Sequence, residues 1–246
     1  MKLLLIDTCG ASGSVALAEA EASPAILASE TLPGRTASER LVPAIKSLIE
    51  GCGTSLQSLS AIAVVHGPGS FTGVRVGLSA AKGLCQALNI PIIAISRLAV
   101  LAGMAQSDPD SPNPNALTHS RIHALLDAGR DEFYFGDYSG GICLREALLT
   151  RDQVFSTVHA SGEERAAVVV ACEPAVVASL AELAPQLVPE PTAAAALRLA
   201  LQRIQAKRFD DIAEFDANYV RRTDSEIFAK PSAKATPTPT PWTPAR

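Results

Sequence analysis

Chemistry in this sequence would have to come from a few short clusters. The most distinctive is His66-Gly67-Pro68-Gly69-Ser70-Phe71-Thr72-Gly73. Its glycines permit positive φ and close backbone approach. A glycine turn between a strand and a helix can aim N–H groups at an anion. The spacing fits no general phosphate motif: there is no Gly-x4-Gly-Lys-Ser/Thr, and Gly73 falls too late for Gly-x-Gly-x-x-Gly. The residues leave two readings open, a tight turn needed for packing and an anion site. Ser70 lies outside a Gly-x-Ser-x-Gly elbow, and as a nucleophile with His66 as base it lacks an orienting acid. Asp7-Thr8 could face a phosphate-bound metal, or Asp7 could hydrogen-bond its own hairpin. His119 and His123 have the i, i+4 spacing of a zinc pair on a helix. They straddle a loop and a strand start, where the rings would stand ~13 Å apart, so no metal is expected there. Asp127, Arg130, Asp131 and Glu132 read as a solvated charged turn. Cys9, Cys52, Cys85, Cys143 and Cys172 contain no Cys-x-x-Cys pair, so reduced thiols are expected rather than a zinc knuckle or a disulfide framework.

These groups need elements to position them. Of the 246 residues, 48% are hydrophobic and 19% charged, enough for a sizeable core. Aromatics are only 4%, so alanine and short aliphatics must fill it. The net charge of −4 argues against a chain that grips nucleic acid alone. An aspartate at position 7 comes too early for a signal peptide's apolar region, and no apolar run reaches the ~18–20 residues of a membrane span. A cytoplasmic protein is expected.

Three short apolar runs, 2–8, 13–20 and 25–31, are separated by Gly, Ser and Pro turn signals and predict a meander. Residues 38–50 carry apolar side chains at 41, 45, 48 and 49, a helical spacing stopped by Gly51-Cys52-Gly53. A buried strand at 61–65, a helix from the glycine turn to Leu88, a strand at 91–95 and a helix capped by Ser96 follow. The order β-β-β-α-β-α-β-α predicts an α/β fold with mixed sheets, by analogy the RNase H/actin-like order. A Pro/Asn/Asp-rich loop at 106–118 marks a boundary. Beyond it come strands at 121–127, 132–138, 142–149 and 166–171, then helices at 174–183 and 192–208. Two subdomains are expected, 1–105 (completed by the helix at 192–208) and 106–191, then a segment at 209–229. Thr/Pro alternation makes 230–246, with the only tryptophan at 242, a disordered tail.

On the helix after the glycine turn, Val74, Leu78, Ala81, Cys85 and Leu88 form one apolar stripe. Gly73, Gly77, Ala80, Gly83 or Leu84, and Ala87 form a second, of small residues. Interior helix glycines each cost ~1 kcal/mol relative to alanine. The second stripe is therefore expected to meet a partner helix, while the first packs on the sheet.

The string from His66 to Leu84 resembles the hallmark of the TsaB (YeaZ) family. The resemblance extends over residues 2–222. It takes in Leu5-Ile6-Asp7-Thr8, Arg35 to Pro43, Ile90 to Ser96, Asp127 to Tyr134 and Tyr219-Val220-Arg221-Arg222. It implies an RNase H/actin-like (ASKHA) fold of two subdomains and a part in forming N6-threonylcarbamoyladenosine at position 37 of tRNAs that read ANN codons. The implied role is a non-catalytic subunit, with no catalytic residue and no cofactor of its own. ATP and metal belong to its partners, the TsaD paralogue and the TsaE ATPase, and tRNA is held only through the complex. In isolation a homodimer is expected. With the small-residue stripe, the resemblance puts the partner interface on Gly69, Ser70, Phe71, Thr72, Gly73, Arg75, Val76, Gly77, Ala80, Gly83, Leu84 and Ala87. It leaves Asp7, Thr8, Gly67 and Gly69 as a vestigial phosphate or nucleotide site. Two positions depart from the pattern: Ala37 stands where the family often has histidine, and TsaD's His-x-x-x-His metal pair falls here on Arg97 and Leu101.

Overall fold

A computed structural model of the chain describes residues 1–21, 23–105, 121–160, 167–218 and 220. Four strands of the first sheet lie within the first 65 residues. β1 (Lys2–Asp7), β2 (Gly13–Glu19) and β3 (Ala25–Leu32) form an antiparallel meander. β4 (Leu59–Val65) then pairs parallel to β1, and β5 (Ile92–Ile95) pairs parallel to β4. The sheet order is β3-β2-β1-β4-β5. β1 is central, and its Leu3, Leu4, Leu5 and Ile6 are fully buried, as both faces of an inner strand demand. The edge strand β3 is mostly exposed.

Two helices cover this sheet. α1 (Ala37–Gly51) buries Leu41, Ala44, Ile45, Leu48 and Ile49, and ends where the Cys52 N–H reaches the Leu48 carbonyl. α2 (Phe71–Leu88) starts at Ser70, whose Oγ accepts the Gly73 N–H at 3.2 Å. It ends at Asn89, which takes the left-handed conformation with φ +53°. Val74, Leu78, Ala81 and Cys85 are buried on the sheet, the stripe that the spacing predicts.

The second sheet repeats the wiring. β6 (Arg121–Gly129), β7 (Glu132–Ser139) and β8 (Ile142–Thr150) form a meander. β9 (Val168–Ala171) lies parallel to β6, and the short β10 (Gln186–Leu187) parallel to β9. The order β10-β9-β6-β7-β8, read from the other edge, is the path of the first sheet. α4 (Arg151–Ala160) was not evident from the sequence, because it buries only Val154 and so carries little periodicity. α5 (Pro174–Ser179) is shorter than the predicted helix, whose end is a separate 3-10 turn at Ala181–Leu183.

Two elements couple the sheets. α3 (Arg97–Ala105) sends Val100 into the first core, but Leu98, Leu101 and Ala102 into the second. The boundary expected after residue 105 thus falls behind a helix that already belongs to both. Ser96 precedes α3, but its hydroxyl donates to Glu146 Oε1 on β8 at 2.5 Å. α6 (Leu197–Gln205), shorter than the predicted 192–208, follows a turn whose Ala193 and Ala196 join Ala200 in the first core. Short aliphatics and alanine dominate both cores, as composition requires. The loop 106–118, His119, Tyr219, residues 221–229 and the tail 230–246 lie outside the described residues.

Candidate functional site

The glycine turn is packed into the chain. The peptide between Gly67 and Pro68 is cis, and Gly67 has φ +110°, a region that favours glycine. A Cβ on Gly67 would lie 3.1 Å from the Asn218 carbonyl oxygen, and one on Gly69 would lie 2.3 Å from that of Cys9. The Ser70 N–H donates to the same Cys9 oxygen at 2.8 Å. Two N–H groups that could have met an anion, those of Ser70 and Gly73, are therefore already used. Carbonyl oxygens crowd Gly67 and Gly69, so of the two readings the close-packed turn describes this geometry.

Asp7 and Thr8 make separate contacts. Asp7 Oδ1 accepts the Cys9 N–H at 2.8 Å, the local hairpin bond, while its buried Oδ2 meets no partner among the described residues. Burial pushes the Asp7 carboxyl above its ordinary pKa, opposed by the charge of Arg97. The Thr8 hydroxyl donates to the Gly73 carbonyl at 2.6 Å. Asp7, Thr8, Gly67 and Gly69 thus do not converge on one empty cradle. Arg97 and Glu190 also act on Asp7, and no local pattern predicts it, because both lie far along the chain from it.

The small-residue stripe of α2 needs a correction. Gly73 and Gly77 were expected to face a partner, but they face β1. A Cβ on Gly73 would lie 1.9 Å from the Thr8 carbonyl oxygen, and one on Gly77 would lie 2.4 Å from Thr8 Oγ1. Their smallness serves the approach of α2 to the end of β1. Gly83 is different: it is exposed, and nothing lies within 4 Å of its would-be Cβ. Phe71, Thr72, Arg75 and Ala87 are also exposed, with Val76, Ala80 and Leu84 half-buried. Phe71 lies beneath the Arg75 guanidinium, 3.6 Å from ring centroid to Cζ. On α1, Val42 is exposed as well.

A strap from the C-terminal side closes over the turn. Lys82 donates to the Phe215 carbonyl and lies 4.6 Å from the Phe215 ring centroid. The His66 carbonyl accepts the Asn218 N–H at 2.8 Å, and the His66 ring Nδ1 lies 3.2 Å from the Asp216 carbonyl. Asn218 Nδ2 donates to Glu146 Oε2 at 2.7 Å, and the Tyr138 hydroxyl donates to Glu146 Oε1 at 2.5 Å. Glu146 on β8, which no motif singles out, joins Tyr138 of β7, Ser96 just before α3, and the strap. With its ring on the strap and Ser70 capping α2, His66 shows no nucleophile–base pairing with Ser70.

His123 is fully buried on β6, its ring edge-on to Phe135 at 5.1 Å; neither ring nitrogen makes a hydrogen bond among the described residues, and Nε2 lies 3.6 Å from Asp137 Oδ1. No group of three or more His, Cys, Asp or Glu among those residues could hold a metal ion. Burial holds the His66 and His123 imidazoles below their ordinary 6.5, against the carbonyl of Asp216 and the charge of Asp137 respectively. For Asp137, burial pushes upward. The hydrogen bonds from Arg121, at 2.8 and 2.6 Å, together with nearby positive charge hold its carboxyl below the ordinary 3.8. Depressed folded-state values mean that this stability is present above the ordinary values and is lost as pH falls. The unfolding free energy from urea denaturation should therefore fall as pH drops below about 6.5, by at most about 1.4 kcal/mol per pH unit for each histidine. His123→Leu should flatten that slope; an unchanged slope contradicts the assignment.

Comparison with known proteins places this geometry. A family model described as TsaD, tRNA N6-adenosine threonylcarbamoyltransferase, matches residues 31–227. The chain is 35% identical over 138 residues to the tRNA threonylcarbamoyladenosine biosynthesis protein TsaB of Escherichia coli K12, covering 56% of this chain and 55% of that protein. It is 36% identical to the protein of the same name from Bacillus subtilis 168, with the same shares. The chain thus matches about half the length of these curated relatives. The structure of YeaZ from Pseudomonas aeruginosa superposes with a TM-score of 0.70 at 28% identity, over 89% of this chain and 99% of that one.

Proposed function

The chain belongs to the TsaB (YeaZ) family, and from that membership we propose that it serves tRNA threonylcarbamoyladenosine formation as a non-catalytic subunit. In this reading its two lobes are the RNase H/actin-like pair of that fold, and the outward face of α2 is the surface that receives the TsaD paralogue. The observation that carries the reading is that face: Gly83 is open to solvent in the middle of a helix, beside exposed Thr72, Arg75 and Ala87. Glycine in an exposed helix interior weakens the helix, so its presence suits close approach of a second backbone rather than the monomer.

The partners supply what this chain is not asked to hold. TsaD carries metal and the transfer step, TsaE carries ATP, and tRNA reading ANN codons docks on the assembly. The same α2 face self-pairs in a homodimer when TsaD is absent, and the assembly works in the cytoplasm. Purified chain alone should leave tRNA unmodified. Adding it to TsaD and TsaE with threonylcarbamoyl-adenylate should raise modification from background. Full activity of TsaD and TsaE without this chain defeats the proposal.

A further inference from the structure

Charged groups that no motif predicts meet between the two lobes. Arg97, first residue of α3, is 4% exposed, and its Nη2 donates to Glu190 Oε1 at 3.0 Å. The same oxygen accepts the Ala11 N–H, in the turn between β1 and β2, at 2.9 Å. A Cβ on Gly10 would stand 2.2 Å from Glu190 Oε1 and 2.5 Å from Arg97 Nη2. The ion pair therefore rests directly on the backbone of that turn. Arg97 Nε is buried without a partner among the described residues, as is Asp7 Oδ2.

The equivalent turn of the second sheet is built the same way. Asp7 Oδ1 accepts the N–H two residues on, from Cys9, at 2.8 Å; Asp127 Oδ1 accepts that of Gly129 at 2.8 Å. Each turn also gives an N–H to a glutamate carboxylate, Ala11 to Glu190 and Asp127 to Glu173 at 3.4 Å. Arg97 is buried against Glu190, and its positive charge opposes the rise in pKa that burial gives Glu173.

We propose that the turn between β1 and β2 is a site for a small monocarboxylate, which the chain fills with its own Glu190. The donors are the Ala11 N–H and the Arg97 guanidinium, whose Nε is still unused. Among the described contacts one guanidinium supplies the positive charge at this turn, so it balances one negative charge on an occupant and not two. A monoanion is accepted and a phosphate dianion is refused. Glu190 is tethered to the chain, so its effective concentration exceeds that of free anions. The carboxylate thereby holds the second lobe against the first hairpin and keeps phosphate-bearing ligands out of this cleft.

The test uses the whole chain alone, so its outcome is independent of the partner reading. Glu190 is 39% exposed on its side chain, so Glu190→Ala should still fold. Its Tm should fall by about 3–6 °C. At about pH 8.5, where phosphate is mostly the dianion, sodium acetate at about 100 mM should restore at least half of that loss, while sodium chloride or phosphate at equal ionic strength should not. Gly10→Ala, whose Cβ displaces the same carboxylate but also fills the space, should lose stability without acetate rescue. The proposal is overturned if Glu190→Ala keeps its Tm within about 1 °C. It is equally overturned if acetate rescues no better than chloride, or if phosphate rescues as well as acetate.

Discussion

Gly73→Ala should cost this protein about 3 kcal/mol or more, roughly 6–12 °C in Tm, whereas Gly77→Ala should be repairable. Both glycines face Thr8, but they meet different atoms. The Cβ at 73 would stand 1.9 Å from a backbone carbonyl oxygen, and only a shift of α2 away from β1 relieves that. Such a shift also breaks the hydrogen bond from the Thr8 hydroxyl to the Gly73 carbonyl. The Cβ at 77 would meet the side-chain Oγ1 of Thr8 at 2.4 Å, with Thr8 Cβ at an ordinary 3.7 Å. Thr8→Ala removes the first contact and leaves the second. The double variant Thr8→Ala/Gly77→Ala should therefore lie within about 1 kcal/mol of Thr8→Ala alone, while Thr8→Ala should rescue little of Gly73→Ala. Urea unfolding of the three single and two double variants measures this. Equal rescue of both glycine variants would contradict the geometry.

Gly83→Arg should do the opposite, making the isolated chain more stable and the complex weaker. Nothing lies within 4 Å of a Cβ at this position, and the residue is in a helix interior. Exchanging glycine for arginine there gains up to about 1 kcal/mol of helix propensity. A guanidinium on a face that must approach another backbone overpacks the contact and strands a charge, and ~3 kcal/mol of lost binding is a hundredfold in Kd. The expected result is a Tm raised by about 2–4 °C, with heterodimer formation with TsaD weakened about a hundredfold. Titration by calorimetry, with size-exclusion chromatography for the homodimer, reads both. An unchanged Kd removes α2 from the interface and leaves the family assignment standing.

The two variants mark where sequence reasoning about α2 stopped. Glycines at 73, 77 and 83 look alike as letters, each a small residue off the apolar stripe, although at 3.6 residues per turn Gly83 lies roughly 120° around the helix from Gly77. In the structure two of them are small because Thr8, some 65 positions earlier, lies against them, and the third faces solvent. Periodicity reports which residues share a face; it does not report what that face meets. Strand placement in both meanders was legible, because short apolar runs bounded by Gly, Ser and Pro turns are local signals. α4 was illegible because its single buried residue leaves no period to detect. Glu146 was illegible for a related reason, since its three donors, Ser96, Tyr138 and Asn218, come from separate parts of the chain.

What the sequence determined by itself was the local and the compositional. The strand–glycine turn–helix unit, the buried stripe of α2, an alanine-rich core and the family string from His66 to Leu84 could all be read from neighbouring residues. Tertiary structure alone decided how the lobes lock. Arg97 meets Glu190 across 93 positions, and the glutamate reaches the Ala11 amide across 179. Charge pairs of that range leave no periodic trace, because each partner looks like any surface ion in its own stretch. It takes two sheets of the same wiring, packed through α3, to bring them onto one turn.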